Sequence, residues 1–318
     1  MLIGPCARLS TSWAASQKVT KGSVRLSNRG CCRRVNGFKE ISRPGLHGRS
    51  EAPGRGRSNL PLMAYYRGNE LCDELDKLGA ENLVWPGRDR WWMAYFDRAG
   101  ELRLLILLSR VEDKNLFDIS TVAEARSARA IHGIAKRLNT SFGQVRFSEH
   151  NGSLRRVVVM EGGAIHAIGT PKDIFGKAGF KAGVAQHSVN RTVASAFQQW
   201  QRANVDCIAT DLDLMRLANA QPEELIEIKR STVPDWSPYK NDQSALFALE
   251  GVARSAGLRF SIVFLPQDQS RIADVNRLSI FTLVDGRPYR FAEKLTLLDF
   301  RSGSYLSSKN WVPSDWHR

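Results

Sequence analysis

Cysteine is scarce and poorly spaced for a scaffold. The 318-residue chain has five, at Cys6, Cys31, Cys32, Cys72 and Cys207, and no C-x-x-C pair. Neither a disulfide framework nor a structural zinc site is indicated, and a reducing compartment is the simplest expectation. Long apolar runs are missing too. The longest, in "LRLLILLS" (Leu102–Ser109), is far too short to span a bilayer, so a soluble, cytoplasmic protein with no membrane partner is expected. The six histidines show no metal-ligand spacing. There is no G-x-x-x-x-G-K-[ST] loop to cradle a nucleotide and no G-x-S-x-G elbow, which argues against a P-loop ATPase and a serine hydrolase.

Acidic residues are nearly absent from the first 62 positions. That segment holds twelve Lys and Arg against Glu40 and Glu51, a net +10 of the chain's +14. Its Arg, Gly, Ser and Pro cannot bury enough apolar surface to offset chain entropy, so disorder is expected over 1–62. Three readings compete for it: a nucleic-acid-binding arm, an organelle transit peptide, or residues preceding a true start at Met63. From "MAYYRGNELCDELDKLG" onward the sequence becomes ordinarily amphipathic.

What remains is globular in composition, with 42% hydrophobic and 25% charged residues over the whole chain. Residues 66–79 read as a short helix ending at Gly79. "RWWMAYFD" and "LRLLILLSRV" read as paired strands, with Trp91 and Trp92 on opposite faces, one in the core and the other at an interface. Thr121–Leu138 reads as a helix opened by Thr121 and Glu124 at capping-box spacing. "GQVRFSE", "SLRRVVVM" and "GGAIHAIG" complete a small α+β domain over 63–185, without a recognisable chemical motif. A second domain, 186–318, is expected in the order α-β-β-α-β, then a hairpin at Asp285-Gly286 and a last strand at "KLTLLDF".

The second domain carries the candidate chemistry. Side chains alternate across a strand. In "CIATDLDLM", Asp211 and Asp213 share one face; in "ELIEIKRS", Glu227 and Lys229 share one face and Ile226 and Ile228 the other. A hairpin of these two segments brings three carboxylates and an ammonium together. Carboxylates so close repel, and a divalent cation relieves the conflict. Lys229 would sit beside the metal, to orient or help deprotonate water or to offset charge on a phosphate. The rival reading is a solvated edge pair on an ordinary amphipathic strand. Downstream, Arg230, Trp236, Tyr239 and Lys240 in "KRSTVPDWSPYKND" mix cations with aromatics, which suits nucleic-acid contact; the rival reading is a loop anchored by a half-buried Trp.

"TDLDLM", a turn, then "IEIKRS" followed by a helix and a strand resembles the PD-(D/E)XK, or restriction-endonuclease-like, nuclease superfamily over about Val189–Leu265. The resemblance implies an α/β (α+β) core with a mixed sheet flanked by helices. It also implies Asp213 and Glu227 as Mg²⁺ ligands (Mn²⁺ substituting), with Asp211 the competing first acid. Ile228 would ligate through its carbonyl, Lys229 would be the catalytic lysine, and Gln243 would reach the metal-bound water or the nucleic acid. It implies phosphodiester hydrolysis leaving a 5′-phosphate, on DNA sooner than RNA. Relatives often carry a Glu on the preceding helix, whereas "RTVASAFQQWQRAN" has no acid; Gln198 and Gln199 come nearest. The Pro-Asp dipeptide is absent as well. The alternatives are an inactive nuclease-fold module that binds nucleic acid or mediates assembly, and a purely structural protein. A homodimer is left open.

Overall fold

A computed structural model describes residues 70–118, 120–161, 164–167, 171–184, 195–233, 235–270 and 272–317. The basic segment 1–62 and the readings attached to it lie outside these residues, as do 186–194 at the start of the second expected domain. No helix among the described residues is long and apolar enough to cross a membrane.

In chain order the elements are α1 (Glu70–Lys77), β1 (Leu83–Val84), β2 (Arg90–Phe96), β3 (Leu102–Arg110), α2 (Val122–Leu138), β4 (Ser141–His150), β5 (Ser153–Glu161) and β6 (Ala164–Ala167). Next come α3 (Lys172–Lys177), α4 (Ala196–Asn204), β7 (Ile208–Leu212), β8 (Leu214–Ala218), β9 (Gln221–Ser231), α5 (Gln243–Ser255) and β10 (Arg259–Pro266). The chain finishes with β11 (Ser279–Val284), β12 (Arg287–Phe291), α6 (Leu297–Ser302) and β13 (Trp311–Pro313). They build two mixed sheets flanked by helices. One runs β6-β5-β4-β3-β2-β7 and the other β1-β8-β9-β10-β11-β12-β13.

The sheets do not part at residue 185. β1, from the first half, pairs with β8, while β7, from the second half, pairs with β2. The reason is a shared core. Trp92, Leu107 and Ile131 pack with Leu212, Met215, Leu225, Leu246 and Ile262 in one cluster between the sheets. α2 supplies part of it through buried Ala130, Ile131, Ile134 and Ala135. Gly133 lets that helix approach β9, since a Cβ there would lie 3.2 Å from the Pro222 ring. The opposite face of the seven-stranded sheet is also buried, by Leu71 and Leu75 of α1 and Phe300 of α6 against Ile226 and Val263. A sheet covered on both faces explains why β10 is almost continuously apolar.

Local signals were read unevenly. Thr121 caps α2 by accepting the Glu124 backbone N–H at 3.2 Å. The Glu124 carboxylate does not return to close the box, because Arg146 takes it at 2.7 Å in the interior. The hairpin turn at Asp285-Gly286 forms as the sequence predicts, with φ of 49° and 76°. The expected last strand "KLTLLDF" is instead helical at α6. Thr296 and Asp299 form a reciprocal capping box there, a helix-start signal that the alternating leucines obscured. Trp91 and Trp92 are both buried, at 1% and 0% exposure, because one faces the core under α3 and α4 and the other the core under α2.

Candidate metal and nucleic-acid site

The acidic pair of the sequence is split by the change of sheet. Asp211 lies in β7 opposite Met93, within the six-stranded sheet. Asp213 is the single residue between β7 and β8, where the chain crosses to the other sheet. The crossing follows from the neighbours: Leu212 enters one core and Leu214 the other, and both are buried. Asp211 and Asp213 therefore do not share a strand face, and the hairpin with β9 is made by β8 alone. Its two-residue turn, Asn219-Ala220, takes positive φ at both positions, 49° and 62°.

Asp213 stands at the end of β8, beside the exit of β9. The last pairing of these strands there is Leu214 with Ile226. One step further the Ile228 N–H has no strand to donate to, and the Asp213 carboxylate accepts it at 2.9 Å. Glu227 and Lys229 flank Ile228 and project to the same face as Leu225. The Lys229 ammonium lies 3.1 Å from Glu227 Oε1 and 3.2 Å from Asp242 Oδ2. Burial alone would pull the Lys229 pKa down. The negative charges of Glu227, then Asp242 and Asp213, outweigh it and hold the amine above the usual lysine range. Lys229 is thus a cation at neutral pH, which favours charge stabilisation over proton abstraction.

The pattern of "NDQSALFALEGVARSAG" makes Asn241 or Asp242 the expected helix start. Asp242 occupies the N-cap of α5 yet makes no side-chain cap bond, its carboxylate being turned to Lys229. Nothing in the sequence separates such an Asp from an ordinary cap. Gln243 is the next residue, half-buried in the first turn of α5. α4, the helix at the position where relatives often carry a Glu, packs Phe197 into the core of the other sheet and spends Gln198 on its own capping box with Ser195. The helix near Asp213 is α1. Its Cys72 thiol is pushed well up, by burial first and then by the Asp213 charge. Its Glu70 faces Arg230 at 3.6 Å. The signal existed, since the short helix was legible, but its place beside β9 was not.

Of the two readings of the downstream aromatics, the anchored loop is the one that Trp236 fits. Trp236 is 4% exposed and stacks on Phe264 at 4.8 Å, with Phe281 edge-on at 5.4 Å. It anchors the loop after β9 to the sheet and has no face left for a base. Tyr239 is half-buried and meets the His317 ring at 4.9 Å. Arg230 and Lys240 are exposed and remain accessible to an anion.

Two further acids lie on β9, Glu223 and Glu224. Glu224 is completely buried on the α6 face. Arg216 Nε donates to it at 3.0 Å, the Tyr305 hydroxyl donates at 2.9 Å, and Ser261 donates as well. Arg216 spends its remaining donors on the Phe300 and Arg301 carbonyls, at 2.6 and 2.9 Å.

No group of three or more His, Cys, Asp or Glu among the described residues is placed to hold a metal ion. Two carboxylates and a carbonyl nevertheless suit Mg²⁺, which takes one or two carboxylates and completes its shell with water and phosphate oxygens. The backbone is favourably turned. A strand residue points its N–H and C=O to the same edge, so the Ile228 carbonyl shares the edge on which its N–H meets Asp213. Comparisons with protein-family models, with curated proteins and with solved structures found no match to this chain.

Proposed function

We propose that the protein is a metal-dependent nuclease of the PD-(D/E)XK type. The observation that carries the reading is the bond from the Ile228 N–H to Asp213, with Glu227 and Lys229 on either side, at the exit of β9. The order of elements supports it. An acid-bearing helix, α1, precedes β8; the Glu-x-Lys strand β9 follows; α5 then leads to β10, which runs parallel to β9. The six-stranded sheet is inserted between β1 and β8 in this arrangement.

Asp213, Glu227 and the Ile228 carbonyl would hold a Mg²⁺ or Mn²⁺ ion. When bound, such an ion polarises a phosphate oxygen and lowers the pKa of a water. The protein's own share is positioning and charge. Lys229 places a permanent cation where negative charge grows on the phosphate. Asp242 keeps that ammonium in place when Glu227 turns toward the cation. Arg230 and Lys240 would neutralise phosphates beside the cleaved bond, with DNA the favoured substrate.

A second reading is an inactive nuclease-fold module that binds nucleic acid. It is favoured by the closure of Lys229 on both Glu227 and Asp242, which engages both carboxylates within the protein. One experiment separates them: cleavage of DNA with Mg²⁺ by the full chain, Glu227→Ala and Lys229→Ala. Loss of cleavage in both variants supports the first reading. Equal cleavage by all three proteins rejects it, and binding without cleavage under any condition selects the second.

A further inference from the structure

At the far end of β9 from this cluster lies an open groove of ≈ 930 Å³. α2 forms one wall, and the turn between β8 and β9 forms the other. Arg126, Arg129, His132 and Lys136 line it from the helix. Their spacing puts them on one face, with Arg129 and Lys136 about 10 Å apart along the axis. Asn219 and Gln221 line it from the turn, and Glu81 is the one carboxylate among the lining residues.

The charge on this wall is not spent elsewhere. Arg129, His132 and Lys136 are exposed, and neither Arg129 nor Lys136 has a carboxylate partner among the described residues. Arg126 donates to the Glu81 and Leu83 carbonyls, which orients its guanidinium without neutralising it. His132 stacks on Phe142 at 5.1 Å, which holds its ring at the rim. Three permanent cations beside neutral amide donors, in an open trough, match the regular anions and the oxygen-rich backbone of a nucleic acid.

The groove also lies on the same face of the seven-stranded sheet as the candidate site. Pro222 meets α2 at Gly133, and Leu225 enters the core that α2 shares. Glu227 and Lys229 continue on the face of Leu225. At roughly 3.3 Å per strand residue, the groove and the cluster are about 20 Å apart along one strand.

We propose that this groove binds the phosphate backbone of the substrate nucleic acid flanking the cleavage point. The inference rests on the nuclease reading for its occupant, and it adds a contact surface on α2 and the β8–β9 turn. The test is fluorescence anisotropy of the full chain with a labelled DNA duplex of about two helical turns, without divalent ions, across roughly 50–200 mM salt. Arg129→Ala/Lys136→Ala is expected to weaken binding and to lower the slope of log K against log salt by about two. Arg129→Glu/Lys136→Glu is expected to weaken it further. Arg155→Glu/Arg156→Glu, at two exposed residues of β5, makes the same charge change elsewhere and is expected to leave the slope near that of the wild type.

An unchanged slope in the alanine pair overturns the proposal, as does equal weakening by both charge swaps. A groove variant that loses poly-glutamate as readily as duplex also overturns it, by assigning the groove to acidic protein segments. Loss of duplex binding in the groove variants, in a protein that cleaves nothing with Mg²⁺, supports the groove and fails the nuclease reading alone. Full cleavage by the wild type with no binding change in the variants fails the groove alone.

Discussion

Glu224 and Glu227 sit three residues apart on one strand and meet opposite fates. Glu224 points to the α6 face, where Arg216, Tyr305 and Ser261 satisfy it completely. Glu227 points to the α5 face, near the end of the strand, where β8 has already stopped and Lys229 bridges it to Asp242. The first acid is closed into a rigid tie between β8, β9, β10 and the residues after α6. The second belongs to a cluster with more acid than base: Asp213, Glu227 and Asp242 around a single lysine. Position along the strand makes the difference. Glu224 is enclosed by neighbouring strands and their polar groups, while Glu227, 8% exposed, lies past the last residue pair of β8 and β9.

Substitution at the two acids should separate these roles. Glu224→Ala leaves the Arg216 guanidinium buried without its counter-charge and should cost about 3–5 kcal/mol of stability, read as a large fall in Tm. An unchanged Tm would erase the contrast. Trp236→Ala should cost about 3–5 kcal/mol as well, through the cavity left beside Phe264. Its DNA affinity per folded molecule should stay constant, and a specific loss of affinity would restore the base-stacking role.

Changes at the open end should act on chemistry instead. Glu227→Ala and Lys229→Ala should each lower Mg²⁺-dependent cleavage by about 10²-fold or more, with far smaller shifts in Tm than Glu224→Ala. Asp242→Asn should cost less, about 10-fold, by loosening the Lys229 ammonium. It should affect kcat more than KM, and a pure KM effect would place Asp242 in binding.

The smallest effect expected is with pH. The Lys229 pKa is raised in the folded chain, so its stabilising contribution is complete below the ordinary lysine pKa of about 10.4. It is lost only as pH rises through the still higher folded value. Between about pH 7 and 9 neither stability nor cleavage should show a lysine ionisation. A limb in that range that disappears in Lys229→Arg would mean the amine works as a base.

Much of the local structure was legible. Apolar runs and alternation located β2, β3, β9 and β10, and start and stop signals located α2 and α5, because these signals lie within a few residues of one another. The Glu227–Lys229 pair was legible for the same reason. Three things were not. The crossing at Asp213 interrupts a pattern that reads as one continuous strand, since leucines on both sides of it are buried in different cores. Asp242 looks like any N-cap. Glu70 lies more than 150 positions before Arg230, and only the insertion of a whole sheet between β1 and β8 explains how they meet.

By itself, the sequence determined where most of the strands and helices lie, which strand carries the Glu-x-Lys pair, and that positive charge is concentrated in the first 62 residues. These follow from periodicity and composition, which act over a few bonds. Tertiary structure alone decided which sheet each strand joins, which of two nearby acids is sealed, and which helix stands beside the cluster. Those outcomes depend on which apolar faces are buried together, and burial is settled between segments far apart in the chain.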